Sequence, residues 1–435
     1  MLFNLYHRFA ILPPGDGNTL TDQALSNGRK ASATQGWTLA SANWLAAIAT
    51  AVLSPVLPKI AQYFHGDPHV AVLVSLLATM PALFVALGAW PAGFLADRFG
   101  TRRVLLFGVG IYGFIGCSPI ILHSLAGIVA TRAGVGMTEA IIMTCSTALV
   151  ADYFHGSDRE RWLAVQTGGG GIVAVIMIAL GGVLGESSWR LPFAMYGIAF
   201  VLFPLCVFKT WEPAKHKGEY TQHPKAEASL ASLSKPADAD KDKPYNWTPL
   251  ILISLVTLFA STAFYLLIIQ LSFVLTERGV TASGTIGLGC AVAVLFGTVG
   301  AVVFKLLRLS VAGKLTISFT LFAVGFFIVA ISRGFLATEI GASINQIGAG
   351  MVLPTLITWA LSELTIEVRA RGTGIWQTAM FLGQFLSPLI VLALKNLSGS
   401  LSNAVLIYAV ACSIAAVASA VSCIRSTSRT LVEAE

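Results

Sequence analysis

Twelve apolar runs, each long enough to cross a bilayer, restrict this chain's fold more than any other feature. About 20 mostly apolar residues are needed to cross roughly 30 Å of hydrocarbon. Such runs fall at 38–60, 71–94, 104–122, 125–151, 163–185, 191–211, 248–273, 284–306, 313–332, 336–360, 373–394 and 403–424. They are too long for transmembrane strands, which show about 10 residues of alternating polarity, and a backbone in lipid must satisfy its own hydrogen bonds. The expected fold is therefore all-α: an integral membrane protein of twelve transmembrane helices. Composition agrees, since 55% of the 435 residues are hydrophobic and only 11% are charged.

Charge sets the expected topology. With a cytoplasmic N-terminus, 22 of the 28 Lys and Arg fall on the inner side, while Lys59, Arg190, Arg278, Arg333 and Lys395 fall outside. That is the positive-inside bias, so the net charge of +7 faces anionic lipid and no nucleic-acid partner is expected. The expected location is the inner or plasma membrane with both termini cytoplasmic. All six cysteines lie inside apolar runs and all seven histidines in loops or tails. No metal-ligand spacing, nucleophile triad or phosphate loop stands out, so neither an enzyme nor a bound cofactor is expected.

The runs divide six and six around a polar stretch beginning EPAKHKGEY, which carries six lysines, six acids and four prolines. Such a composition reads as a cytoplasmic linker. The expected organisation is a cytoplasmic tail over 1–36, a six-helix bundle over 37–211, the linker over 212–247, a second bundle over 248–424 and a tail over 425–435. RAGVGM at 132–137 matches QIGAGM at 346–351 with both glycines in register at a shift of 214 residues. Equal span counts and this match predict two pseudo-symmetric halves of one duplicated unit.

Between the second and third runs stands GFLADRFGTRR, residues 93–103. It resembles the signature loop of the major facilitator superfamily, roughly GxLADRxGRRR, departing at Thr101. The resemblance implies a gating cluster of Gly93, Asp97, Arg98, Gly100, Arg102 and Arg103 that latches the cytoplasmic side when the cavity opens outward. Gly93 would let helices approach closely, and Asp97 could meet the neighbouring arginines. For Arg102 and Arg103 the alternative is simple topological anchoring.

The fourth run contains TRAGVGMTEAIIM, with Arg132 and Glu139 two turns apart on one helix face, about 10.5 Å along the axis. Each would cost about 2.5 to 3.5 kcal/mol facing lipid at the bilayer centre, so both should look inward. A carboxylate in low dielectric exchanges its proton in response to nearby charge, which suits Glu139 to proton coupling with Arg132 as its partner or as a substrate clamp. The alternative is a buried ion pair that only fixes packing.

The pattern RxxxGxxE resembles the fourth helix of organic anion/proton symporters, and the arginine resembles that of drug/proton antiporters. The first run lacks the buried charge common in the symporters. AVIMIALGG at 174–182 lacks the glycine and proline common in the antiporters' fifth helix. Gln166, Asn345, Gln346 and Gln384 are the further expected cavity residues beside Arg132 and Glu139, each otherwise interhelical hydrogen-bond glue. Glu186 and Glu339 are expected at the membrane interface. The implied function is proton-coupled secondary transport of a small organic molecule by a monomer, with protons and membrane lipid as the other partners. The alternatives are multidrug or metabolite export by antiport and, more remotely, a receptor that kept the fold without transport.

Overall fold

A computed structural model describes residues 31–213, 246–365 and 368–432. The tail over 1–30, the linker over 214–245 and the last three residues lie outside it. Among the described residues there are twelve membrane-length helices: α1 (Ala33–Tyr63), α2 (Val70–Phe99), α3 (Thr101–Ile120), α4 (Leu125–Tyr153), α5 (Gly156–Ser187), α6 (Leu191–Lys209), α7 (Thr248–Glu277), α8 (Ser283–Leu306), α9 (Val311–Ile331), α10 (Phe335–Glu363), α11 (Arg371–Ser398) and α12 (Leu401–Ile424). Among the described residues there is no strand.

Each apolar run became a helix, but the ends moved where local chemistry overrides hydropathy. The first helix begins at Ala33, five residues ahead of the apolar run, because the Ser32 N–H donates to Gln35 Oε1 at 2.9 Å and satisfies an end that hydropathy cannot register. The same helix is interrupted by a 3-10 turn at Ser54–Val56, where Pro55 offers no N–H to the ladder. The sixth opens as a 3-10 stretch, Leu191–Gly197, before becoming α-helical.

The duplication is visible in packing. A Cβ on Gly134 would meet Ile115 of α3, and one on Gly348 would meet Leu321 of α9, both at 3.0 Å. A Cβ on Gly136 would overlap the Pro81 carbonyl of α2, and one on Gly350 the Gly297 carbonyl of α8. The two glycine pairs, 214 residues apart, thus admit corresponding neighbours in each half. The same shift relates Ser54 to Ile268, and the Ser54 hydroxyl donates to the Ile268 carbonyl at 2.6 Å where α1 crosses α7. Counterpart positions in direct contact place this crossing near the pseudo-twofold axis.

Two buried cores result. Among the described residues, one runs from Leu39 to Cys206 and takes in Ile269 from the second half, with Tyr265 and Phe273 packed against it. The other runs from Leu250 to Ala416 and takes in only Ala51 and Ile178 from the first.

The halves close against each other at the end remote from the linker. A Cβ on Gly182 of α5 would come within 2.6 Å of the Ser283 carbonyl and 2.7 Å of Gly287 Cα, both on α8. Glu186 accepts from the Gly284 N–H at 3.2 Å, and Lys59 Nζ donates to the Gly185 carbonyl at 2.9 Å. Backbone against backbone leaves no room for solute at this far end.

Candidate functional site

Nearer the linker face a cavity of about 640 Å³ opens between the halves. Its walls come from α2 (Val85, Ala89, Trp90), α4 (Ala140, Met143, Thr144, Thr147) and α11 (Gly374, Gln377, Thr378, Phe381). Among the described residues no ionisable side chain lines it. Most membrane-buried threonines here return their hydroxyl to a carbonyl one turn back, as Thr138 does to Gly134 and Thr355 to Met351. Thr378 does likewise to Gly374. Thr144, Thr147 and Gln377 show no such bond, which leaves their polar groups available to a solute. The site can therefore hold an apolar, aromatic-bearing molecule and offer it a few hydrogen bonds.

The charged pair of α4 lies on another face of that helix. Arg132 is completely buried, its guanidinium carbon 5.1 Å from the Phe193 ring centroid and 4.9 Å from that of Tyr196, both on α6. Its Nη2 donates to the Gly116 carbonyl at 3.3 Å and to Thr131 Oγ1 at 3.2 Å, while Nη1 has no partner. Glu139 is 4% exposed, and its Oε1 is buried without a hydrogen bond. No ion pair within 4 Å joins it to Arg132 among the described residues. Tyr112 and Tyr196 share the field of both charges. Their hydroxyls donate to the Leu45 and Ala49 carbonyls of α1 at 2.7 and 2.9 Å, just ahead of its proline interruption. Arg132 and Glu139 therefore sit in an aromatic cluster joining α1, α3, α4 and α6 inside the first half.

The other expected cavity residues are also buried within helix contacts. Gln166 donates to the Leu39 carbonyl at 3.4 Å, and its own carbonyl accepts from the Trp44 indole at 2.9 Å. Asn345 donates to the Phe322 carbonyl at 3.4 Å, with Oδ1 unpartnered. Gln346 faces a small void between α7 and α8 with Nε2 unpartnered. Gln384 is 5% exposed on α11. None of the six lines the 640 Å³ cavity.

Glu339, expected at the interface, is instead buried at 7% exposure with both carboxylate oxygens unpartnered. It lies five residues into α10, but that turn packs against α8. Glu186 stays at the far-end interface, as expected, on the Gly284 N–H.

In the signature loop Gly100 has φ +97, a conformation natural to glycine, and lies flat against the Glu212 carboxylate. Arg102 donates from its backbone N–H to Glu212 Oε2 at 3.1 Å, from Nε to the Thr210 carbonyl at 2.9 Å and from Nη2 to the Val207 carbonyl at 2.7 Å. It thus caps the C-terminal end of α6, where cations are favoured. Arg98 lies over the Phe99 ring at 5.7 Å, and Asp97 and Arg103 are exposed. A Cβ on Gly93 would meet nothing within 4 Å, so no close helix contact forms there in this conformation. Glu212, assigned to the linker by composition, is pinned to the first half, as is Trp211, whose ring stacks on Tyr153 at 4.4 Å.

Sequence reasoning missed Tyr112, Phe193 and Tyr196, the open hydroxyls of Thr144 and Thr147, Gln377 and Glu212. Glu339, placed at the interface by that reasoning, did carry a usable signal, an acid inside a run of membrane length.

Two matched six-helix halves, sealed at one end and enclosing a cavity towards the other, define the architecture of a membrane carrier rather than of an enzyme. The sequence profile described as Major Facilitator Superfamily matches residues 39–388, and the chain belongs to that superfamily. It is 27% identical over 191 residues to the multidrug efflux protein YfmO of Bacillus subtilis, a match covering 42% of this chain and 46% of that protein. The chain thus spans about half the length of that relative. It is 25% identical over 315 residues to the 3-(3-hydroxy-phenyl)propionate transporter of Escherichia coli K12, covering 70% of this chain and 73% of that one. Among solved structures, a bacterial homolog of the human lysosomal transporter Spinster, inward-facing and unoccupied, superimposes with a TM-score of 0.67 at 16% identity, covering 89% and 95% of the two chains.

Proposed function

We propose that the chain is a proton-coupled secondary transporter of small organic molecules, working by alternating access as a monomer. The observation that carries this reading is the asymmetry of closure: α5 and α8 meet backbone to backbone at the far end while a 640 Å³ cavity lies between the halves nearer the linker. One open and one sealed end is what a single state of an alternating carrier requires. With 22 of 28 basic residues on the linker side, that face is the cytoplasmic one.

Within this reading Glu139 is the proton carrier and the aromatic cluster around Arg132 is the element that its charge biases. The cavity wall favours export of amphipathic, largely apolar compounds over uptake of organic anions, because no cation lines it among the described residues and Arg132 is enclosed elsewhere. The multidrug efflux relative fits that preference; the aromatic-acid transporter relative keeps the anion reading as the second choice.

The test is transport by the purified chain in proteoliposomes, with an imposed proton gradient and two probe panels, lipophilic cations and aromatic carboxylates. Gradient-dependent movement of either class supports the reading, and the class moved decides between its branches. Absence of gradient-dependent movement for both, from protein shown to be folded, would overturn it.

A further inference from the structure

Glu339 is a second buried carboxylate, and its place relative to the far-end seal is unusual. On α8, Gly287 faces Gly182 of the other half, and a Cβ on Gly287 would lie 2.7 Å from Gly182 Cα. Gly289 is about 200° further round the same helix. A Cβ there would collide with Glu339 Oε1 and come within 3.0 Å of its carboxyl carbon. α8 is therefore held between α5 on one face and the Glu339 carboxyl on the other, with only glycine fitting on either side.

The carboxyl lacks what an ionised group needs. Both oxygens are without a hydrogen-bond partner. From α8 the titratable group that shares its field is the Cys290 thiol, and Leu275 of α7 packs against the same Gly289. The basic groups and nearby acids of this end are placed elsewhere: Lys59 on the α5 carbonyls, Arg190 on the Ile120 and Leu122 carbonyls, Glu186 on the Gly284 N–H, Arg278 on Val329 and Ser402, Glu277 with Lys395, and Arg333 exposed in the loop ahead of α10. An unpaired carboxylate in such a place would draw in water or move its walls, and the wall that can move is α8.

We propose that Glu339 is the proton-sensitive wedge of the far-end seal, protonated while α5 and α8 are closed and ionised when they part. This rests on the alternating-access reading and adds to it a proton site in the second half, at the gate, distinct from Glu139. The proton taken up on closure comes from the far side and is released there when α8 moves away. The seal thereby acquires a pH dependence that needs no substrate.

The experiment reads the rate at which a water-soluble maleimide modifies a reporter thiol placed by Ser283→Cys, in the purified full-length chain with and without Glu339→Gln. Maleimide chemistry itself accelerates with pH, so the quantity read is the ratio of the two rates, from which intrinsic thiol reactivity cancels. From about pH 5.5 to about pH 8.5 that ratio should rise about fivefold or more as the population shifts. A Gln377→Cys reporter in the cavity should show the opposite trend. Glu339→Asp, which keeps a carboxylate, should restore the rise at Ser283→Cys.

A ratio that stays constant with pH overturns the proposal, as does a parallel rise at both reporters, which would mean loosening without switching. If the Gln variant fails to fold, hydrogen exchange of the far ends of α5 and α8 in the unsubstituted chain, corrected for intrinsic base catalysis, must still increase over the same range, and an unchanged value overturns it. Labelling reads conformation and not flux. A chain that switches with pH but moves no solute counts against the transport reading alone; one that transports with a constant ratio counts against this proposal alone.

Discussion

The guanidinium of Arg132 lies 4.9 Å over the ring of Tyr196, and that ring, not the carboxylate two turns along its own helix, is its close partner. Tyr196 in turn donates to the Ala49 carbonyl, so a charge on α4 is tied through α6 to the backbone of α1. The arrangement fixes a cation in the membrane without an ion pair, leaving the nearby Glu139 free of a permanent partner.

If the cage holds Arg132 by stacking, a lysine should not replace it. A desolvated cation–π contact contributes about 2 kcal/mol, and the planar guanidinium meets two rings at once. Arg132→Lys and Arg132→Ala should both lower the melting temperature in detergent, with Tyr196→Leu comparable. Affinity for a transported compound should change less than about threefold in Arg132→Lys; loss of more than tenfold in affinity would return Arg132 to the binding cavity.

Glu139→Gln removes a titrating proton while keeping shape. Gradient-driven accumulation should fall to the level of equilibration, with exchange between the two faces retained, when both are followed in proteoliposomes. Normal accumulation would exclude Glu139 as the coupling carboxylate.

At the half-repeat glycines, added volume has nowhere to go. Gly136→Ala and Gly350→Ala each drive a methyl into a neighbouring carbonyl and should destabilise by about 1 to 3 kcal/mol, whereas Gly93→Ala, which meets open space here, should leave the melting temperature unchanged. The comparison is made by thermal unfolding of the three variants side by side. If Gly93→Ala slows turnover despite normal stability, its helix contact belongs to the other conformational state.

Arg102 and Asp97 should separate by phenotype. Arg102→Ala exposes the last carbonyls of α6, while its backbone N–H still reaches Glu212, so it should reduce thermal stability and yield. Asp97→Asn should slow turnover with binding mostly intact, consistent with a latch two turns beyond Trp90, the last cavity residue of α2. Reduced affinity at unchanged turnover in Asp97→Asn would contradict that role.

The number of helices, their division into halves and the glycine register were legible in the sequence because each depends on position along the chain. Hydropathy measures depth along a helix axis and says little about rotation around it. Arg132 and Glu139 were visible as costly charges, but whether they face a cavity or a cluster depends on Phe193 and Tyr196, about 60 residues away on a helix whose local sequence gives no hint. The same blindness hid the cavity wall: Thr144 and Thr147 are ordinary membrane threonines until the structure shows that they do not return their hydroxyls to the backbone. Nearness to a helix end predicts contact with water for Glu339, and the packing of α8 on that turn overrides it.

Among the described residues the fully buried cores overlap at Ile269 one way and at Ala51 and Ile178 the other, with a thin seam of partly buried side chains such as Met177 and Phe273 between them. A lesion that melts one half therefore has little purchase on the folding of its twin. In genetic terms the chain behaves as two cistrons fused in frame: halves produced as separate polypeptides, divided within the linker, should find each other in the membrane and complement.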